Sequence, residues 1–261
     1  MASLLCLLLG TTAVASVDEP GGAASSYLYQ PAFCVDHELR GPTVPYVPQP
    51  GDIFLCTGKE MWAKIGHRLA GTATPQHAGI VIARPDGRLA LLEAGPNNCL
   101  HCGIHDLIPQ ILTYADHERV WIRCRKVPLT AEQSAALTEF ASAVDGKRFA
   151  LFRMLAQITP FRCRGRFKLQ YLGGPHGTTR HSYFCSELAT EACVAAGLLD
   201  CVNTRPGAMY PRDLFFGRSD NRWIDEHLDM SEWEAPARWT LRPGTEPKTL
   251  RRLPWLDGDS Q

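Results

Sequence analysis

The sequence predicts an α+β fold. Short β-type runs crowd the first half of the chain, separated helical segments dominate the second, and no internal repeat orders them. With 261 residues, 45% of them hydrophobic and 21% charged, the chain can bury a substantial core. Lys and Arg number 27 and Asp and Glu also 27, so no global charge recruits nucleic acid or an anionic surface.

In chain order, Met1–Gly10 is an apolar run followed by Ala13-Val14-Ala15-Ser16, the small-residue pattern of a cleavage site. Residues 1–16 therefore read as a possible signal peptide, which implies export to the periplasm or the exterior. No other apolar run is long enough to span a bilayer, so no stable membrane anchor is expected once the signal is removed. Residues 17–47, rich in Gly, Ser and Pro without periodicity, read as a linker, and a folded domain is expected over 48–217. Ile53–Cys56 has the composition of a buried strand, and Met61, Ile65 and Leu69 follow at helical spacing.

The runs from His77 to Ala83 and from Arg88 to Ala94 flank Arg84-Pro85-Asp86-Gly87, which predicts a hairpin. Val120–Cys124 reads as a further strand. Thr130-Ala131-Glu132-Gln133 opens a helix as a capping box, with Leu137, Phe140 and Val144 on one face, and a second helix is expected from Phe149 to Ile158. Cys185–Ala196 reads as a helix striped by Leu188, Ala192 and Ala195 and closed by Gly197. Residues 218–261, rich in Trp and Pro, form a C-terminal extension without pattern.

Of ten cysteines, Cys6 would leave with the signal and Cys185 would stay free, which leaves an even eight for disulfides in an oxidising compartment. Small buried hydrophobes are the alternative.

Cys185 is singled out because a cysteine in the first helical turn faces unpaired N–H groups and the positive end of the helix dipole, both of which favour a thiolate. A thiolate nucleophile needs a base, and His77, at a strand entry beside the small Ala78 and Gly79, supplies a candidate. If Pro85-Asp86-Gly87 is a three-residue loop with Gly87 in the left-handed position, Arg84 pairs with Arg88 and Glu93 falls opposite Gly79. Glu93 then shares a face with His77 and can accept its second N–H. A two-residue Asp86-Gly87 loop would place Glu93 on the wrong face.

Pro50-Gly51-Asp52, His77-Ala78-Gly79-Ile80-Val81, Leu92-Glu93-Ala94 and Tyr183-Phe184-Cys185-Ser186-Glu187-Leu188 together resemble the circularly permuted NlpC-type papain-like hydrolases, the YiiX/YebB-like group. The resemblance spans about residues 48–200, and the order His, Glu, Cys is that of the permuted form. It implies a nucleophile helix packed on a small antiparallel, barrel-like sheet. It also implies Cys185 as nucleophile, His77 as base, Glu93 as orienting carboxylate and Tyr183 as an oxyanion donor beside the Cys185 N–H. The expected substrate is an amide of a cell-wall (peptidoglycan) peptide or a related small conjugate. A lipid acyl group is the second expectation, and a non-catalytic module stabilised by metal or disulfides is the third.

No cofactor is expected. Cys99, His101, Cys102 and His105 crowd seven residues, but the spacing is not that of a zinc site, and a rim loop or disulfide is the preferred reading. Arg162, Arg164, Arg166 and Lys168 alternate, so an extended backbone would project them from one face; a solvated surface loop is the preferred reading.

Overall fold

The structure, a computed structural model, describes residues 26–29, 42–57, 73–95, 100–116, 119–157, 159, 161, 163, 165–219, 221, 224 and 228–241. The expected signal segment and the helix expected after Gly58 lie outside them. The chain is α+β, as its pattern predicts.

The central hairpin pairs β4 (His77–Ala83) with β5 (Leu89–Gly95). Its turn follows from residue chemistry: Gly87 N donates to the Arg84 carbonyl, Arg84 N to the Arg88 carbonyl, and Gly87 sits at φ +82°. That is a type I turn closed by a left-handed glycine, and it fixes the register that sets Gly79 opposite Glu93.

Among the described residues, eight more strands join the sheet: β1 (Tyr27–Tyr29), β2 (Thr43–Pro45), β3 (Ile53–Cys56), β6 (His101–Asp106), β7 (Val120–Arg123), β8 (Arg148–Phe149), β9 (Ser182–Tyr183) and β10 (Ala237–Thr240). Their order is β2-β1-β10-β7-β3-β4-β5-β6-β8-β9, antiparallel throughout except for the parallel pair β8–β9. The sheet is therefore larger than the small antiparallel one expected, and it is mixed.

The two-residue period of the strands sorts the core onto two faces. On one, Ala78, Ile80, Ile82, Leu92 and Ala94 pack with α2 (Ala131–Val144) and α5 (Cys185–Ala195). On the other, Phe54, Val81 and Leu91 pack with Leu107, Ile111 and Tyr114 of α1 (Leu107–Ala115). Helix α5 is buried on nearly every side, through Leu188, Ala189, Ala192 and Cys193, whereas Ala195, expected on its buried stripe, is exposed. It ends as expected at Gly197, φ +67°, with Leu198 N bonded to the Cys193 carbonyl and Gly197 N to that of Val194.

Composition misplaces several edges. Within the stretch read as linker, residues 27–29 and 43–45 form β1 and β2. Within the stretch read as extension, β10 joins β7 to β1, and buried Trp233 donates its indole N–H to the Gly51 carbonyl. Strands of three or four residues are too short to print a period, and their partners supply the ordering. The helix expected from Phe149 begins later, as α3 (Leu151–Ala156), because Phe149 N and Ala150 N are committed to the carbonyls of Leu100 and Tyr183. Arg166 and Lys168 lie in α4 (Arg166–Leu172), whose turn separates side chains that an extended segment would have aligned. Arg162 and Arg164 lie outside the described residues. A further described helix, α6 (Pro211–Phe216), closes the core near α5.

The described cysteines do not form the expected disulfide set. Cys124, Cys163, Cys193 and Cys201 are free thiols, as is Cys185. Burial pushes the thiols of Cys124 and Cys163 upward and that of Cys193 up to about 12, which leaves them poor nucleophiles. No helix among the described residues is long and apolar enough to cross a membrane.

Candidate active site

Cys185 is the first residue of α5, and its neighbours hold that helix terminus in place. The Glu187 carboxylate, fully buried, accepts the Phe184 backbone N–H at 3.3 Å. It is itself gripped by both nitrogens of the Arg153 fork at 2.6 and 2.8 Å, and by Arg180 at 3.0 Å. Ser186 Oγ bonds the Met209 carbonyl at 2.7 Å. The half-buried Cys185 thiol projects to the start of β4, where Sγ lies 3.8 Å from the Gln76 carbonyl. Its interaction with the His77 ring favours the charged imidazole.

His77 opens β4 on the face that α1 covers. Its Nε2 is 2.8 Å from Glu93 Oε2, so Nδ1 is the nitrogen left for the thiol. The diagonal placement drawn from the turn is thus realised as a direct bond. Burial opposes a charged imidazole, but the interactions with Cys185 and Glu93 outweigh it and raise His77 to about 10. Burial likewise opposes the Glu93 carboxylate, and the His77 bond reverses that, holding the carboxyl below its ordinary value. The buried pair therefore stands as imidazolium and carboxylate at neutral pH.

Three residues that the sequence pattern did not single out complete this arrangement. Gln110 Nε2 donates to Glu93 Oε1 at 2.6 Å, and the Tyr114 hydroxyl lies 3.0 and 2.9 Å from the two carboxylate oxygens. The Tyr114 ring stacks on His77 at 5.3 Å between centroids, and Phe54 meets the same imidazole edge-on at 6.2 Å. Leu107, Gln110, Ile111 and Tyr114 recur at helical spacing, so a glutamine on a buried stripe was the legible signal. Gly95, two residues beyond Glu93, is the third: a Cβ there would stand 2.9 Å from His77 Cε1. The imidazole occupies the space that a side chain would need.

Tyr183 is placed differently from its expected role. It is fully buried, and its hydroxyl donates to the Gly177 carbonyl, which spends its single proton. Burial raises that phenol well above its ordinary value. Tyr183 is thus held in the core and ties down the 177–183 loop.

Of the residues read as a rim loop or disulfide, His101, Cys102 and His105 lie on a strand. Residues 101–106 form β6, whose pleat turns His101 and His105 to one face and buried Cys102 to the other. Cys99 lies outside the described residues, and among those described no three His, Cys, Asp or Glu side chains are grouped to hold a metal ion.

The site so defined is a thiol at a helix N-terminus, beside a histidine that a buried carboxylate orients. No family model and no curated protein matches the chain. Among solved structures, the metalloprotein yiiX from Escherichia coli O157:H7 is similar at TM-score 0.39 and 17% identity, over 58% of this chain and 67% of that one.

Proposed function

We propose that this protein is a cysteine hydrolase of the permuted papain-like type, acting as an amidase or peptidase on a cell-wall peptide or a related small conjugate. The observation that carries the reading is the placement of Cys185 beside the start of β4, where the His77 ring is hydrogen-bonded to the buried Glu93. Papain-like chemistry needs such an arrangement: a sulfur nucleophile, a proton carrier and a fixed hydrogen-bond acceptor that orients it.

Cys185 Sγ attacks the acyl carbon, and the oxyanion that forms meets the Cys185 backbone N–H. The C–N bond breaks as the His77 imidazolium gives its proton to the leaving nitrogen. His77, now neutral, takes a proton from water, whose oxygen attacks the thioester. The acid leaves, and thiolate and imidazolium are restored. The apolar start of the chain supports export, which would bring the enzyme to a cell-wall substrate.

A lipid acyl donor is the second reading, favoured by the exposed Phe152 and Phe167 on the helices that follow β8. Cys185→Ala should abolish hydrolysis of peptidoglycan fragments and N-acyl substrates. Iodoacetamide should label Cys185 ahead of the other cysteines, and intact-mass analysis of an acyl adduct trapped from cell extract should identify the donor. Full hydrolysis by Cys185→Ala, with no preferential labelling, would overturn the reading.

A further inference from the structure

Between Gly146 and Ser186 the chain carries eight Lys and Arg residues and no Asp or Glu, in a protein whose charges otherwise balance. The same segment holds the most exposed aromatic side chains among the described residues: Phe152 (86%), Phe161 (79%), Phe167 (76%) and Tyr171 (73%). Leu155 and Leu172 are exposed with them. On α3, Phe152 and Leu155 are three positions apart, and on α4, Phe167 and Tyr171 are four apart, so each helix presents an apolar stripe outward.

These helices belong to one lobe. Gln157, just after α3, accepts the Cys163 backbone N–H at 3.2 Å, and the Cys163 thiol meets the Lys168 carbonyl of α4 at 3.5 Å. Arg153, on the inner side of α3, ties the lobe to the first turn of α5 through Glu187. Leu169 is the buried contact of α4, which leaves its aromatic residues outside.

We propose that the lobe formed by α3 and α4 docks on an anionic lipid bilayer, with Phe152, Leu155, Phe167, Tyr171 and Leu172 entering the interface and Arg166 and Lys168 meeting lipid phosphates. The pairing of aromatic and aliphatic side chains with uniform positive charge is what such a surface selects. A second copy of the chain is disfavoured, because a two-fold contact would bring the same positive segments together. Nucleic acid is disfavoured too, because Leu155 and Leu172 have no ring on which a base can stack. The docking does not depend on the chemistry of Cys185.

The test is co-sedimentation of the full chain with vesicles of phosphatidylcholine, with and without phosphatidylglycerol. Binding is expected to the anionic vesicles only and to fall as salt rises. Arg166→Glu with Lys168→Glu should weaken it by about 30-fold or more, at about fivefold per basic residue near the surface. Phe152→Ser with Phe167→Ser should weaken it at every salt concentration. Val202→Ser, an exposed apolar residue outside the lobe, should leave it unchanged.

Iodoacetamide labelling of Cys185 should be the same in all four proteins, which keeps a failure of docking distinct from a failure of the active site. Three results would overturn the proposal. The protein could fail to sediment, or sediment equally with neutral vesicles. It could form a dimer in sedimentation velocity that Phe152→Ser with Phe167→Ser dissolves. It could bind single-stranded RNA in place of vesicles.

Discussion

Replacing Glu93 by glutamine keeps the shape of the site and removes only its buried negative charge, so it isolates what that charge does. In the wild type, the bond between Glu93 Oε2 and His77 Nε2, at 2.8 Å, is one of the two contacts that hold the imidazole near 10. Without the carboxylate, burial again disfavours the imidazolium, and its value should fall toward the ordinary ~6.5. At pH 7.5 the protonated fraction would then drop from nearly all to about one tenth, so turnover should fall about tenfold. The glutamine amide would also face the Gln110 amide, now 2.6 Å from Oε1, so one of the two must rotate.

The assay is a pH titration of ¹³C-labelled histidine by NMR, run beside the alkylation rate of Cys185. Linkage gives a second readout. Because the folded value of His77 lies above the unfolded one, its contribution to stability is fully present below about pH 6.5 and is lost as pH rises toward 10; Glu93→Gln should flatten that decline. A His77 resonance still titrating near 10 in Glu93→Gln would refute the assigned cause. His77→Ala should cost far more turnover, about 10²–10⁴-fold, because it removes the proton carrier itself.

Tyr114→Phe removes the hydroxyl that meets both Glu93 oxygens while keeping the ring stacked on His77; it should cost about 1–2 kcal/mol in urea unfolding and move the His77 titration slightly upward or downward by much less than Glu93→Gln does. Gly95→Ala should slow alkylation of Cys185 with little loss of helical circular dichroism, because the new methyl group would press on His77 Cε1 from 2.9 Å. Trp233→Ala should lower unfolding free energy by about 3–5 kcal/mol, as measured by urea denaturation, since Trp233 is 2% exposed and bonded to the Gly51 carbonyl. A near-neutral result there would mean that the C-terminal residues do not share the core.

Much of the site could be reached from local chemistry. The Pro85-Asp86-Gly87 turn has few conformations open to it, and a turn of known type fixes the register, so the facing of His77 and Glu93 followed from counting. The cap at Thr130 and the stop at Gly197 were legible for the same reason: each is set by one side chain and its immediate neighbours. Tyr183 was not. Its position two residues before Cys185 invites a role beside the thiol, but the hydroxyl donates to the Gly177 carbonyl, which no sequence pattern locates.

The sequence by itself determined the hairpin, the helix that begins at Cys185 and the α+β class, because these depend on periodicity and on residues that tolerate few backbone conformations. Tertiary structure alone decided what surrounds the dyad. Gln110 and Tyr114 reach Glu93 only because α1 crosses the face of β5, and Cys185 meets His77 only because α5 begins beside the first residue of β4. It also decided that β1, β2 and β10 belong to the sheet, since strands so short are ordered by the partners that satisfy their backbone and cover their side chains.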